Sequence, residues 1–261
     1  MRLKSFCLIL IVTGIGYSSS SIGQEAELPK AQISATEILQ KNLIATGGLE
    51  AHQALKTLVA SGEFRLTGTQ RMGDFKFSYK GPGNDMLEVW RISHGGIWRG
   101  HHEGQPVNRA TSVILGPPRP GELCDWCVTK GVDTWFVESD WRALLRWDFS
   151  AYNIELIGIG EVDKKQAYGL RFTSKKGGDP FLCFYDRETF LLVRMDRIAH
   201  SQSDKNRAEA VYKVENIFRD YREQGGLKLP FVIAIPRPEG DVVFEVSKIK
   251  MNEPVKDSVF E

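Results

Sequence analysis

The chain has 261 residues, a formal net charge of +1 at pH 7 and a hydrophobic fraction of 42%. So balanced a charge, with no block of basic residues, argues against nucleic acid or an anionic membrane surface as the main partner. The length suits one large domain rather than several.

The first 23 residues have the pattern of a secretory signal peptide. Arg2 and Lys4 precede an apolar stretch at 6–15, and a Ser-rich stretch follows. The apolar stretch is too short for a spanning helix, which needs about 20 apolar residues. We therefore expect this peptide to be removed and residues 24–261 to form a single exported domain.

The exported domain is predicted to begin with two short helices. Ser34 and Glu37 have the spacing of a capping box, so a helix is predicted from Ala35 to Ala45. Its apolar side chains recur at helical spacing, and they are Ile38, Leu39 and Leu43. The glycine pair at 47–48 ends this helix, because glycine adopts the left-handed conformation at low cost. A second helix is predicted over 49–55.

Short strands with alternating apolar and polar residues follow. Four are predicted before a segment at 105–121 that is expected to be irregular, and seven after it. Gly-, Asp- and Pro-rich breaks between the strands are typical of hairpin turns. In one of the later strands the alternation places Leu191, Val193 and Met195 on one face.

One more helix is predicted between the two groups of strands, over 138–147. Its broad apolar stripe consists of Trp141, Leu144, Leu145 and Trp147. Consecutive hairpins with one solvent-exposed face form an antiparallel meander. Together these elements predict an α+β fold, in which a curved antiparallel sheet of about eleven strands is wrapped on helices.

Several stretches together resemble a known family. They are the helix–Gly-Gly–helix start at 38–55 and the stretches 59–64, 184–194, 220–230 and 246–260. This order resembles the outer-membrane lipoprotein-sorting-protein-like family, relatives of the LolA and LolB carriers and of the RseB sensor domain. The resemblance implies a LolA-like, incompletely closed antiparallel β-barrel of about eleven strands with helices plugging its concave face. It also implies a periplasmic protein whose apolar interior holds acyl chains.

The sequence departs from this family at one hairpin. In carriers of the LolA type, an arginine before the proline between the second and third strands latches the helical lid. Here Gly81 precedes Pro82, and Lys80 lies one place earlier. The resemblance therefore supplies no lid latch at this hairpin.

Cys124 and Cys127 have the spacing of a redox dithiol or of half a zinc site. A four-ligand zinc site needs two more ligands, which Cys183 and His101 or His102 could supply. Neighbouring residues on a strand point to opposite faces, so the two histidines do not easily share one ion. Because export favours oxidation, a structural disulfide or exposed thiols rank first, a metal site second and redox catalysis third.

Aromatic side chains on the predicted strands form the other candidate site. Each one alone is most simply explained as core. As a set, they present more apolar area than a few short helices can cover. A cavity is therefore expected between the concave face of the sheet and the helix at Ala35–Ala45. The candidate ligand-binding residues are Phe64, Phe75, Phe77, Tyr79, Trp90, Trp98, Tyr168, Phe172, Phe244, Ile38, Leu39 and Leu43. The cavity itself is predicted to be lined by Phe77, Trp90, Tyr168, Phe172 and Phe244.

The sequence contains no nucleophile motif, phosphate-binding loop or acid–base pair, so we expect no enzymatic activity, cofactor or metal. The leading hypothesis is a monomeric periplasmic binding protein for acyl chains, acting as a lipoprotein carrier or chaperone. Its partners would be an acylated lipoprotein or another lipid, with membrane donor and acceptor proteins. One alternative is a periplasmic sensor or regulator that binds the same ligands and signals to a membrane partner. The other is a metal or redox protein centred on Cys124 and Cys127.

Overall fold

The structure is a computed structural model, which describes residues 33–68, 71–81, 84–91, 97–103, 111–115, 142–201, 210–237 and 240–259. The signal peptide and the pair of Cys124 and Cys127 lie outside the described residues. So do residues 138–141 of the predicted third helix.

Twelve strands form one antiparallel sheet in the described part of the chain. They are β1 (Thr57–Leu66), β2 (Arg71–Lys80), β3 (Asn84–Arg91), β4 (Ile97–Glu103), β5 (Thr111–Leu115), β6 (Tyr152–Val162), β7 (Lys165–Ser174), β8 (Phe181–Asp186), β9 (Leu192–Ser201), β10 (Ala210–Gln224), β11 (Leu227–Ile235) and β12 (Val242–Met251). Their order is β5-β4-β3-β2-β1-β12-β11-β10-β9-β8-β7-β6. Because β5 and β6 end this order without pairing with each other, the described sheet is open and not closed into a barrel.

The two groups of predicted strands form two meanders joined by one long-range pairing. Within each group, every strand pairs with the next one along the chain. β1 then pairs with β12, with Phe64 opposite Phe244, and so links the start of the domain to its end. The count is twelve rather than about eleven because Thr111–Leu115 forms β5 inside the segment predicted to be irregular. This short strand contains β-branched residues, but because a Gly- and Pro-rich run directly follows it, the sequence pattern does not predict it as a strand.

Three α-helices of the described chain cover one face of the sheet, called the inner face below. They are α1 (Ala35–Ala45), α2 (Gly48–Ala54) and α3 (Arg142–Leu145). α1 has its predicted bounds, and the Ser34 Oγ caps it by accepting a hydrogen bond from the Glu37 backbone N–H at 3.1 Å. α3 ends at Leu145, two residues before the predicted end of that helix. Residues of α1, α3 and the inner-face strands share one hydrophobic core.

Strand β9 corrects one prediction of alternation. Leu192 and Met195 are buried in the inner-face core, whereas Val193 packs against Phe184 in a second, smaller cluster. The pairing of β8 with β9 shifts register next to Phe184. A β-bulge of this kind adds a residue to one strand and reverses the faces beyond it. The prediction that Leu191, Val193 and Met195 share a face is therefore wrong.

α1 is fastened to two hairpins of the sheet. The Asn42 Nδ2 donates a hydrogen bond to the Phe190 carbonyl between β8 and β9 at 2.8 Å. The Lys41 Nζ lies 4.9 Å from the centroid of the same Phe190 ring. At the end of α1, the Lys228 backbone N–H of β11 donates to the Thr46 carbonyl at 3.1 Å. These bonds between distant parts of the chain make α1 a fixed part of the fold.

The turn between α1 and α2 packs directly on the turn between β10 and β11. Gly47 has a φ of +119°, and a Cβ added there would lie 2.1 Å from the Gly226 carbonyl oxygen. The neighbouring Gly48 also has a positive φ, of +81°, but an added Cβ would meet nothing within 4 Å. The predicted glycine pair is thus confirmed as a helix end, and the close packing belongs to Gly47 alone.

Candidate ligand site beneath helix α3

The candidate site is a small apolar cavity between α3 and the inner face. Its volume is about 10 Å³, and it is lined by Leu58, Ala60, Phe77, Leu144, Leu145, Leu229, Pro230 and Ile249. A volume of this size is about that of one water molecule, whereas ligand pockets span roughly 300–1,000 Å³. The structure therefore shows a closed site, and a lipid enters it only if Leu144 and Leu145 move away.

The strands that line this cavity are far apart in sequence. Leu58 and Ala60 come from β1 and Phe77 from β2, while Leu229 comes from β11 and Ile249 from β12. The pairing of β1 with β12 brings them together. α3 contributes Leu144 and Leu145, and Leu145 is only 7% exposed. The site therefore consists of an apolar floor made by the sheet and an apolar cover made by Leu144 and Leu145 of α3.

The predicted aromatic set lies in the inner-face core but does not surround this cavity. The members buried in that core are Phe64, Phe75, Phe77, Tyr168, Phe172, Phe244 and Ile38, and Leu39 and Tyr79 pack against it. The rings of Phe64 and Phe75 contact Phe244, with centroids 5.8 and 5.2 Å apart. Such contacts make a closely packed aromatic cluster, and the small cavity described above lies beneath α3 rather than beneath α1.

Of the predicted lining residues whose side chains the structure describes, only Phe77 borders the observed cavity. Leu43 is half-buried, and it lies outside the clustered core. Trp90 and Trp98 belong to β3 and β4, but their side chains lie outside the described part of the structure. A ligand-binding role for the predicted set therefore stays a prediction.

His52 of α2 lies against the end of α3. The ring is 5% exposed, and its Nε2 is 2.9 Å from the Thr46 Oγ1. The Nδ1 has no partner within hydrogen-bonding geometry. Burial lowers the pKa of His52, and the nearby backbone carbonyl of Leu145 opposes this effect without reversing it. His52 is therefore neutral near pH 7, beside the residue that closes the cavity.

The lowered pKa of His52 predicts a pH-dependent stability. Below its ordinary value of 6.5 the unfolded chain takes up the proton first, so the free energy of unfolding falls as the pH drops from 6.5 towards the folded pKa. The slope from this one group is at most about 1.4 kcal/mol per pH unit. Urea unfolding at about pH 7.5 and about pH 5.5 measures it. His52→Gln should reduce the pH dependence, and an identical dependence in both proteins would contradict the role given to His52.

The hairpin between β2 and β3 makes two contacts with distant parts of the chain. Lys80 forms an ion pair with Asp257 near the C-terminus. The Gly81 backbone N–H donates to the Lys56 carbonyl at 3.0 Å. A Cβ at Gly81 would overlap the ring of Tyr79, so a larger residue requires that ring to move. This hairpin therefore contacts the segment near the C-terminus through Lys80 and the loop before β1 through Gly81.

A second and larger depression has a mixed lining that includes several charged side chains. It has a volume of about 820 Å³, and beside the apolar Phe75, Phe231, Val232 and Val246 it is lined by the charged residues Glu63, Asp74, Lys76, Asp220, Arg222 and Glu245. Glu63 lies directly opposite Asp74 on one side and Glu245 on the other. An acyl chain placed there would take charged groups out of water, and its methylenes would supply neither a hydrogen bond nor an opposite charge in exchange. The free energy of binding there would therefore be unfavourable. We call this depression the charged groove, and we do not assign acyl binding to it.

The cysteine and histidine interpretations stay predictions. Cys183 is buried and forms no disulfide within the described residues. Cys124 and Cys127 lie outside the described residues, as do the side chains of His101 and His102. In the part of the chain that is described, no group of three or more His, Cys, Asp or Glu side chains is arranged to hold a metal ion. Within that same part, no helix is long and apolar enough to cross a membrane.

No protein-family model matches the chain. No curated protein sequence matches it either. Solved structures do match the chain. A LolA superfamily protein from Nitrosomonas europaea is 15% identical with a TM-score of 0.47, and the match covers 88% of this chain and 98% of that one. An outer membrane lipoprotein-sorting protein domain from Vibrio parahaemolyticus is 12% identical with a TM-score of 0.49, covering 86% and 94%.

A third solved structure, a DUF1329 family protein from Desulfovibrio piger, is 16% identical with a TM-score of 0.46, covering 87% of this chain and 96% of that one. Because these identities and TM-scores are low, the fold is defined by the strand order and register of this chain itself.

Proposed function

We propose that this protein is a non-enzymatic periplasmic binding protein for the acyl chains of a lipoprotein or another lipid. The observation that carries the proposal is the apolar cavity closed by Leu144 and Leu145 of α3. Every residue that lines this cavity is apolar, so it offers hydrocarbon contacts and no catalytic group. The periplasmic location follows from the predicted signal peptide.

α3 is the helix that moves to admit the ligand. α1 is fastened to two hairpins through Asn42 and Thr46, whereas α3 has four residues and packs through the side chains of Leu144 and Leu145. Short elements with few buried apolar contacts are the ones that open locally at low cost in free energy. Opening α3 exposes Phe77, Leu229 and the rest of the cavity lining without unfolding the sheet.

The free energies of burial favour a long chain in the open site. Exposing the two leucine side chains costs about 3–6 kcal/mol, and each methylene buried in exchange contributes about 0.8 kcal/mol. A chain of about sixteen carbons contributes about 12 kcal/mol, and it exceeds this cost by enough to offset part of the entropy of association. A chain of about four carbons contributes only about 3 kcal/mol, which does not exceed the cost of exposing the two leucine side chains.

A carrier of this kind works by transfer rather than by chemistry. It takes an acyl chain from a membrane donor, shields it from water beneath α3, and releases it to an acceptor that binds the chain more tightly. No covalent step is needed, because closure of α3 over the empty cavity recovers the burial of Leu145. The partners of the proposed cycle are therefore a lipid or acylated lipoprotein and two membrane proteins.

Chain length provides a test. Hexadecanoate should displace a neutral fluorescent hydrophobic probe from the protein, and butanoate should not, because only the longer chain outweighs the cost of opening α3. The measurement is a displacement titration with both acids below the concentration at which hexadecanoate aggregates. Saturable binding that improves with chain length supports the proposal. Failure of every chain length to bind would show that the inner face is simply a filled core.

A further inference from the structure

Arg146 lies at the boundary between the cavity cover and a cluster of aromatic rings. It directly follows Leu145, the last residue of α3. Its Cζ lies 5.1 Å from the centroid of the Tyr152 ring and 5.5 Å from that of Phe181. The two rings contact each other edge to face, with centroids 5.4 Å apart. The guanidinium is thus held over ring faces at the point where α3 ends.

The positive charge of Arg146 has no carboxylate partner among the described residues. Its interactions are the contacts with the two rings and an electrostatic effect on Tyr185. Other arginines of the described chain do pair with acidic side chains, namely Arg65, Arg171, Arg194, Arg219 and Arg222. Arg146 therefore retains its capacity to form two parallel hydrogen bonds with an anionic oxygen acid.

The surroundings of Arg146 on the inner face include neutral donor groups. Burial raises the pKa of Tyr185 well above its usual value, and the charge of Arg146 acts against this rise from nearby. Tyr185 is 3% exposed and therefore keeps its proton. The groups that the structure shows near Arg146 are thus the rings of Tyr152 and Phe181 and the protonated hydroxyl of Tyr185, and none of these three groups repels an anion.

We propose that Arg146 binds the anionic head group of the ligand, a carboxylate or a phosphate, while the acyl chain occupies the cavity beneath α3. Because Arg146 directly follows Leu145, a chain that takes the place of the Leu145 side chain can extend its head group to the end of α3, where the guanidinium of Arg146 lies. This inference rests on the acyl-binding function proposed above and names its ligand class: long-chain anionic amphiphiles. Arg146 then selects among ligands that bury the same hydrocarbon.

The test compares head groups on one chain. Hexadecanoate, hexadecyl phosphate and hexadecanol are titrated against the neutral probe in the full-length mature protein. We expect at least one of the anions to bind about tenfold more tightly than the alcohol, as the loss of one charge-assisted pairing implies. Arg146→Gln should abolish this preference and leave the affinity for hexadecanol unchanged within about twofold. Arg146→Lys, which keeps the charge, should retain part of the preference.

Arg222 offers a matched control, because it also lies over a ring, that of Phe231 at 4.5 Å, but it borders the charged groove. Arg222→Gln should leave all three affinities unchanged. The anion that binds more tightly identifies a carboxylate or a phosphate source. Equal affinities for the anions and the alcohol in the wild type would overturn the role of Arg146 and leave acyl binding intact. Failure of hexadecanol and both anions to bind would instead refute the acyl-binding function itself.

Discussion

Leu145→Ala is expected to weaken the fold and to strengthen lipid binding at the same time. Leu145 is 7% exposed and covers the cavity, so its truncation should lower the free energy of unfolding by about 2–5 kcal/mol. Part of that loss lowers the stability of the closed position of α3 relative to the open position. The open, binding-competent form then becomes more populated, and the apparent affinity for hexadecanoate should rise by roughly fivefold to tenfold.

Leu170→Ala is the matched control for this experiment. Leu170 is fully buried on β7, in the same core but away from the cavity lining. Its truncation should cost a similar free energy of unfolding, without any gain in affinity. Urea unfolding and the probe displacement titration are measured on both variants. An equal change of affinity in the two variants, or a loss in Leu145→Ala, would contradict the role of α3 as a movable cover.

Gly47→Ala is expected to be the most destabilising substitution in the helical part of the domain. The added Cβ would lie 2.1 Å from the Gly226 carbonyl oxygen, a backbone atom, so the two turns must separate. The positive φ adds the strain of a left-handed conformation. Together these effects should lower the free energy of unfolding by about 3–5 kcal/mol.

Gly48→Ala separates the two contributions. Its φ is also positive, but nothing lies within 4 Å of the added Cβ, so only the backbone strain of about 1–2 kcal/mol applies. Urea unfolding of both variants gives the comparison. If Gly47→Ala cost no more than Gly48→Ala, the close packing of the α1–α2 turn on the β10–β11 turn would not contribute to stability.

Local patterns in the sequence predicted the elements well. α1 has the bounds expected from its capping box and helical spacing, because it is regular and the glycine pair at 47–48 follows its end. Alternation failed in β9, since a bulge in its pairing with β8 reverses the faces of Val193 and Met195. A bulge depends on the partner strand, and a single strand's sequence does not reveal it.

The site was harder to predict than the strands. The aromatic residues were expected to line a cavity, yet Phe64, Phe75 and Phe244 fill one another's space. The observed cavity depends on the long-range pairing of β1 with β12, and no local pattern encodes that pairing. Leu144 and Leu145 were visible as part of an apolar stripe. No sequence pattern singles out Arg146, and only the fold places it over Tyr152 and Phe181.

The central claim is that acyl chains bind beneath α3, and photochemical labelling tests it most directly. A hexadecanoate analogue with a photoreactive group near the end of its chain is bound to the protein, irradiated and located by peptide mass spectrometry. The label should be found on residues that line the cavity, such as Leu58, Leu229 or Ile249, and excess hexadecanoate should prevent it. Labelling confined to the charged groove around Glu63 and Asp74, or labelling that excess hexadecanoate does not reduce, would contradict the claim.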